Sequence, residues 1–544
     1  MSGPGPARHP ATRHRPGMLR GLLSFSSMTM VSRVLGLVRD QSISYVFGAS
    51  AATDAFMVAF RIPNFMRRLF AEGSFSTAFV PVFTEVKETR PHAELRELVS
   101  RVGGTLAVVL LAVTVLGLLF APQIAVVFAP HDAHKLDLLT SLIRLTFPFL
   151  LFVSLTALAA GVLNSFHRFG LPALAPVILN LCMIGGALWL APRLQVPIMA
   201  MGWAVLAAGL LQLLFLLPAL GRLDLLAVPR WGWHHAGVRK VMRLMVPTLF
   251  GSSVAQINLL LDTWIAAYLL TRSQTWLSLA DRFLELPLGV FGIALGTVML
   301  PSLAQHHVNA DRERFSRALD WGLRNTLLIS VPAALGLMLL SEPLVATMFQ
   351  HGHFTAFDSR MTALSVFGLS FGLPAFALVK VVLPAFYARQ DTKTPVRAGM
   401  SALVANMLLN FAILALLYAL LVPDALKARG VWQGLANTPG LHLALGIASA
   451  LASYLNLGLL WRWLRRDGVY QAQPGWGRFT LRLALACLAL CVVVGLGLYV
   501  GPDFTTAPVM VRLAWLFGLV GAGGAAYAAV LVAMGWRLRE LREH

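Results

Sequence analysis

Long apolar runs recur along the chain. Each is closed by a short polar stretch rich in Arg, Gly or Pro. About 20 helical residues rise about 30 Å, the thickness of a bilayer's hydrocarbon core. The pattern predicts fourteen such helices, over residues 21–48, 52–85, 97–129, 136–165, 170–192, 196–220, 237–269, 275–304, 315–347, 358–388, 395–422, 440–463, 478–500 and 508–535. Several of these runs exceed 28 residues, so they tilt, kink or extend past the bilayer. The predicted fold class is an all-α polytopic membrane protein.

Composition sharpens this reading. Of the 544 residues, 57% are hydrophobic and 12% charged, about half the charged share of an ordinary soluble domain. The net charge of +20 is spread over many short loops. It forms no face of a folded domain, which excludes nucleic acid as a partner. One set of loops, with the two tails, holds 26 Lys and Arg residues, while the alternate set holds 6 (Lys135, Arg193, Arg272, Lys427, Arg429 and Arg512). The positive-inside rule then places both termini in the cytoplasm, which an even number of spans satisfies. Residues 1–20 read as a basic, disordered cytoplasmic tail. No cleavable signal peptide is expected, because the first apolar run carries Arg33, Arg39 and Asp40. Cys182, Cys487 and Cys491 all lie in apolar runs and suggest neither a disulfide framework nor a metal motif.

A weak internal repeat divides the chain. Phe79-Val80-Pro81 matches Met299-Leu300-Pro301, and Phe169-Gly170-Leu171-Pro172 matches Thr392-Lys393-Thr394-Pro395, at offsets of 220 and 223. Six helices per repeat is an even number, so both halves enter the membrane in the same sense. That is the arrangement of many transporters, with a substrate site where the halves meet. The expected domains are two pseudo-symmetric six-helix lobes, 21–222 and 223–466, followed by two extra helices and a cytoplasmic end over 467–544.

The charges inside the apolar runs are the candidate chemistry. Arg33 falls near the middle of the first helix, and Arg67 and Arg68 near the middle of the second. A central Arg costs about 3 kcal/mol on insertion scales, so three cost roughly 9 kcal/mol. Such residues face a watery cavity or an anionic partner. On the second helix Asp54, Arg61, Asn64, Arg68 and Glu72 share one stripe, with Arg67 about 100° away. Arg33 and Asp40 share a face of the first helix, and Gly36 between them leaves room for a ligand; Arg39 reaches round from about 120° away. In the eighth run Asp281, Arg282 and Glu285 add a second cationic point. The guanidinium fork suits phosphate, so the cavity is expected to take a phosphate-bearing ligand. The alternative is internal ion pairing, Arg68 with Glu72 and Asp54 with Arg61. Asp262 in the seventh run and Asn406 and Asn410 in the eleventh lie at similar depth. They are candidates for a monovalent cation such as sodium or for an interhelical hydrogen bond. No phosphate-binding GxxxxGK[ST] loop, GxSxG or HExxH motif occurs, so no enzyme site is expected. Energy would come from an ion or substrate gradient or from the membrane potential.

The stretches SSMTMVSRVLGLVRD, ATDAFMVAFRIPNFMRRLFAEGSFSTAFVP, ADRFLELPLGVFGIALGTVMLPSLA, FQHGHFTAFD and FYARQDTKTPV resemble the MurJ (MviN) lipid II flippases. The resemblance runs from about Met18 to the C-terminus. It implies the fold of the multidrug/oligosaccharidyl-lipid/polysaccharide exporter superfamily, with two six-helix lobes plus two helices. It implies movement of an undecaprenyl-pyrophosphate-linked peptidoglycan precursor from the cytoplasmic to the periplasmic leaflet of the bacterial inner membrane. The family's cavity arginines match Arg33, Arg39, Arg67 and Arg282, and Asp40 and Asp54 also match motif positions. The last two helices would flank a groove for the isoprenoid tail. A sodium site in some members uses acids and amides on the seventh and eleventh helices. Asp262, Asn406 and Asn410 resemble it, with an Asn where a second acid is expected. Lipid II, membrane lipids and cell-wall synthesis enzymes are the partners implied. The competing expectations are a flippase for another lipid-linked sugar, a cation-coupled drug exporter of the same superfamily and a non-transporting membrane scaffold.

Overall fold

A computed structural model describes residues 16–68, 75–129, 132–289, 299, 303, 305 and 311–536. The described residues form helices and connections and contain no strand. The helices are α1 (Pro16–Phe47), α2 (Ala51–Arg67), α3 (Ser76–Thr89), α4 (His92–Leu119), α5 (Ala121–Phe128), α6 (Ala133–Thr146), α7 (Phe149–Ser165), α8 (Gly170–Gly185), α9 (Met199–Gly221), α10 (Ala236–Ala266) and α11 (Ser273–Pro287). They continue with α12 (Arg312–Leu339), α13 (Ser341–Phe349), α14 (Ala356–Ser370), α15 (Leu373–Tyr387), α16 (Lys393–Leu421), the short α17 (Asp424–Lys427) and α18 (Val431–Asn437), α19 (Leu443–Arg466), α20 (Trp476–Val500) and α21 (Val509–Ala533).

Several of the expected spans are broken. The fourth divides into α6 and α7 at Phe147-Pro148, where proline removes a backbone donor. The tenth divides into α14 and α15, bent by 41° around Phe371-Gly372. Among the described residues nine helical stretches are long and apolar enough to cross a membrane, ten if that bent pair counts as one. Helices α1, α2, α10 and α11 are outside that set. They carry Arg33, Arg39, Asp40, Arg61, Arg67, Asp262, Asp281 and Arg282. Asn406 and Asn410, by contrast, lie on α16, which is within that set.

The chain forms two compact units. The first comprises residues 1–39, 63–118 and 145–249; the second comprises 40–62, 119–144 and 250–544. The core of the first is built by Phe75, Phe79 and Phe83 of the third helix's edge against Leu158, Val162 and Leu163 of α7, with Leu98 and Val102 of α4 and Leu216 of α9. The core of the second joins Leu319 and Leu323 of α12 to Val381, Val382 and Phe386 of α15 and to Leu460 and Leu464 of α19. Helices α20 and α21 belong to this unit, packing Leu483 and Cys487 against Leu328, and Leu490, Val494 and Leu516 against Leu340.

Two fastenings in the second unit show how its connections are held. In the first, Gly48 (φ +59°) and Gly352 (φ +60°) face each other's backbone. A Cβ on Gly48 would lie 2.4 Å from the His353 carbonyl oxygen, and one on Gly352 would lie 2.3 Å from that of Tyr45. Only glycine fits such an approach in this backbone region. The His353 N–H donates to the Tyr45 carbonyl at 3.1 Å, closing the C-terminal end of α1 on the connection after α13.

In the second fastening, buried Asp320 of α12 accepts from Tyr470 Oη at 2.6 Å, Trp476 Nε1 at 2.7 Å and the Gln473 N–H at 3.3 Å. Arg324 Nε lies 2.7 Å from the same carboxylate, off the hydrogen-bond direction, and its guanidinium covers the Trp476 ring. One carboxylate therefore gathers the connection from α19 to α20. Burial, and then the neighbouring Asp320, push the Tyr470 phenol above its ordinary pKa. Asp320→Ala is expected to destabilise the protein by about 3 kcal/mol, since it strips a buried partner from several donors at once. Tyr470→Phe is expected to cost about 1 kcal/mol. Thermal melts in detergent check both, and equal melts for the two variants would contradict the central place of Asp320.

Candidate functional site

The sequence-predicted residues fall into distinct settings. In the first unit Arg39 is buried on α1 and donates from Nη1 to Asn180 Oδ1 of α8 at 3.0 Å. Asn180 Nδ2 in turn donates to the Ser32 carbonyl at 3.0 Å. The face near Gly36, expected to leave room for a ligand, has the Asn180 amide beside it. Arg67 of α2 donates from Nε at 2.9 Å and Nη2 at 2.7 Å to Asn64 Oδ1, one turn earlier. Arg33 and Arg68 are partly buried. Glu72 lies outside the described residues.

In the second unit Arg282 Nε pairs with Asp40 Oδ2 at 3.0 Å, and its Nη1 with Glu285 Oε2 at 2.9 Å. The Arg282 side chain keeps 38% of its surface accessible while Asp40 keeps 7%. Arg61 of α2 donates to Thr263 Oγ1 of α10 and, at 2.9 Å, to Ser278 Oγ of α11, and lies 3.5 Å from Asp281 Oδ2. The expected alternative pairing of Asp54 with Arg61 does not form; these residues meet different partners.

Asp54 is 1% exposed and pairs with Lys135 Nζ of α6 at 3.3 Å. Its carboxylate also accepts the Arg272 N–H at 2.7 Å, the Thr275 N–H at 2.9 Å and Thr275 Oγ1 at 2.6 Å. These are free donors at the start of α11, so Asp54 caps a helix from another helix. Arg272 there adopts φ +90°, unusual for a residue with a side chain. Its guanidinium pairs with Asp358 at 3.3 Å, and Asp358 also caps α14 with Thr355. Lys135, counted in the sequence with the outer loops, is 6% exposed and bridges Asp54 to Gln274.

Asp262 of α10 gathers three neutral donors. Asn406 Nδ2 and Asn410 Nδ2 reach Oδ1 at 3.1 and 2.8 Å, and Ser449 Oγ reaches Oδ2 at 3.1 Å. Asp262 and Ser449 also line a small cavity of about 30 Å³ with Arg61, Thr263, Gln274 and Asp281. That is room for an ion or about two waters. The interhelical bonding expected of Asp262, Asn406 and Asn410 is therefore present.

Sequence reasoning passed over Asn180, Lys135, Thr263, Ser278 and Ser449. Asn180 carries the clearest signal, a lone amide inside the apolar run LAPVILNLCMIGG. Thr263 and Ser278 are small hydroxyl residues of a kind common in membrane helices and give no such signal.

Among the described residues, nine or ten helical stretches long and apolar enough to cross a membrane define a polytopic membrane protein. The family described as lipid II flippase MurJ matches residues 43–513. A protein described as a probable lipid II flippase MurJ from Vibrio cholerae is 39% identical over 535 residues, covering 96% of this chain and 98% of its own length. The lipid II flippase MurJ of Burkholderia cenocepacia is 41% identical over 480 residues, covering 87% and 89%. The chain belongs to the MurJ family. A solved structure of a lipid II flippase MurJ in an inward closed conformation shares the fold, with a TM-score of 0.74 at 24% identity over 93% of this chain and 98% of its own. An inward-facing multidrug resistance transporter of the MATE family and the MOP superfamily aligns with a TM-score of 0.64 at 12% identity, over 82% and 98%.

Asp54→Ala uncaps α11 and leaves Lys135 buried without its carboxylate, so a cost of about 3 kcal/mol is expected. Asp54→Asn keeps an oxygen acceptor for the helix start and should cost less. Thermal unfolding of the two variants checks this order; the reverse order would remove the capping role.

Proposed function

We propose that this protein is a lipid II flippase of the bacterial inner membrane, a multi-pass transporter and not an enzyme. It would carry undecaprenyl-pyrophosphate-linked peptidoglycan precursor, supplied by cell-wall synthesis enzymes, from the cytoplasmic to the periplasmic leaflet. The observation that carries this reading is the way the arginines are held. Arg39 and Arg67 each donate to a side-chain amide, while Arg61 donates to two hydroxyls and lies 3.5 Å from Asp281. An amide orients a guanidinium and brings no negative charge of its own. A pyrophosphate then meets planar donors already aimed, which suits bidentate binding. In the first unit Arg33, Arg39 and Arg67 are the residues assigned to an anion of the cargo; in the second, Arg282, held by Asp40, is assigned as a cationic contact of its own. The reading includes fourteen spans, cytoplasmic termini and alternating access, with α20 and α21 flanking the isoprenoid tail. A drug exporter of the same superfamily is less favoured, because a cationic drug has no use for these arginines.

A second reading concerns coupling. Asn406 Oδ1 and Asn410 Oδ1 are buried without a partner while both amide nitrogens face Asp262. Amide oxygen and nitrogen exchange places on a half-turn of the side chain. Asn406 Nδ2 also donates to Asn258 Oδ1 at 2.7 Å, so Asn406 turns only together with Asn258; turned so, Asn406, Asn410, Asp262 and Ser449 present oxygens to one another, a donor set for a hard monovalent cation such as sodium. The residues fit that ion, which would neutralise Asp262 at this site.

Arg282→Ala is expected to lower lipid II flipping in reconstituted vesicles at least about tenfold, the effect of losing about 1.4 kcal/mol. Arg282→Lys is expected to recover part of it, since charge returns without the fork. Normal flipping by a well-folded Arg282→Ala protein would end the assignment of this residue. For the cation, sodium chloride is expected to raise the melting temperature above that in choline chloride. Asp262→Asn should erase the difference. Equal melts of the wild type in both salts would remove the sodium reading.

A further inference from the structure

We propose that Asn180 is a positioning residue for substrate binding, setting the direction of the Arg39 guanidinium. Asn180 stands alone among aliphatic neighbours on α8 and is 4% exposed. A buried amide is costly unless both its ends are bonded. Here both ends are spent on one helix: Oδ1 accepts from Arg39 Nη1 and Nδ2 donates to the Ser32 carbonyl, each at 3.0 Å. Ser32 and Arg39 are seven residues apart, two turns on the same face of α1. A long side chain on a helix leans toward the N-terminus, over the preceding turn. That lean brings Arg39 back along Gly36, whose missing Cβ would lie 3.8 Å from Asn180 Nδ2. The amide thus stands between the Ser32 main-chain oxygen and the Arg39 guanidinium.

The bond to Ser32 makes Asn180 a specific device and more than a space filler. The Ser32 carbonyl fixes which way the amide faces, so its oxygen points at Arg39 and its nitrogen away from it. A guanidinium carries five donors in one plane. Anchoring Nη1 sets that plane and so sets the direction of the others. A leucine at this position would fill similar volume and remove this acceptor from the arginine. An aspartate would orient it and cancel its charge. Asn180 is itself held, because α8 is tied to the next helix: Gln212 of α9, 3% exposed, donates from Nε2 to the Ala175 carbonyl at 2.9 Å. The order of support runs from Gln212 through Asn180 to Arg39, all within the first unit.

This inference rests on the reading of Arg39 as a ligand of the pyrophosphate. The test is lipid II binding by the purified full-length protein in nanodiscs. Asn180→Leu and Asn180→Ala, Arg39→Ala and the two double variants are compared with the wild type, each with its melting temperature. Both Asn180 variants are expected to weaken binding about five- to tenfold, as a misdirected binding group does. Their melting temperatures should stay within a few degrees of the wild type. Added to Arg39→Ala, either change should cost nothing further, since the residue it directs is gone. Asn180→Ala serves if Asn180→Leu folds poorly. Wild-type binding by the Asn180 variants, or a loss that simply multiplies with that of Arg39→Ala, would overturn the proposal while Arg39→Ala still weakens binding. Wild-type binding by Arg39→Ala would instead overturn the underlying reading of Arg39, and this proposal with it.

Discussion

The carboxylate of Asp54 is the contact on which the second unit's arrangement most depends. It takes an ammonium from α6 and three donors from the start of α11, and it does so at 1% exposure. A carboxylate in such a place survives only if its lone pairs are all met. The groups that meet it come from α6 and α11, so satisfying one charge on α2 fixes three backbones together. Helix α11 then carries Asp281 and Arg282 at a depth set by its capped end. The same economy recurs at Asp358, which caps its own helix and receives Arg272 and the Trp276 indole. It recurs at Asp320, where a single acid gathers a whole connection.

Much of this plan was legible in the sequence, because apolar length and buried charge are both written there directly. The runs over 97–129, 196–220, 395–422, 440–463, 478–500 and 508–535 correspond to helices α4 with α5, α9, α16, α19, α20 and α21. The polar stripe of the second helix marked Asp54, Arg61 and Asn64 as residues needing partners. Which partners they take was not legible. Helical periodicity compares residues on one element, so it offered Asp54 with Arg61, whereas the partners Lys135, Thr263 and Asp281 come from elsewhere in the chain. Lys135 was hidden for a second reason: a lysine near a run's end counts as a loop charge until burial shows otherwise. The breaks at Pro148 and Gly372 sit inside runs that hydropathy reads as continuous.

A contrast separates the acids from the amides. The acids Asp54, Asp320 and Asp358 close their networks with Lys or Arg and draw several elements together. The amides Asn64 and Asn180 accept hydrogen bonds from arginines and bring no charge of their own. The first device gives rigidity and the second gives direction. Asp262 joins the two, an acid surrounded by amides and a hydroxyl, and that mixture is why it reads as a place where charge can be exchanged.

The facing glycines at Gly48 and Gly352 let the C-terminal end of α1 and a distant loop meet through a main-chain hydrogen bond, with the Tyr45 ring and the His353 Cβ packed where a Cβ on either glycine would stand. The join also depends on spacing. Deleting a single residue between Gly352 and α14 would leave every amino acid type in the FQHGHFTAFD stretch nearly intact and still misalign it. In that stretch spacing therefore counts beside the identity of Thr355 and Asp358, which cap α14.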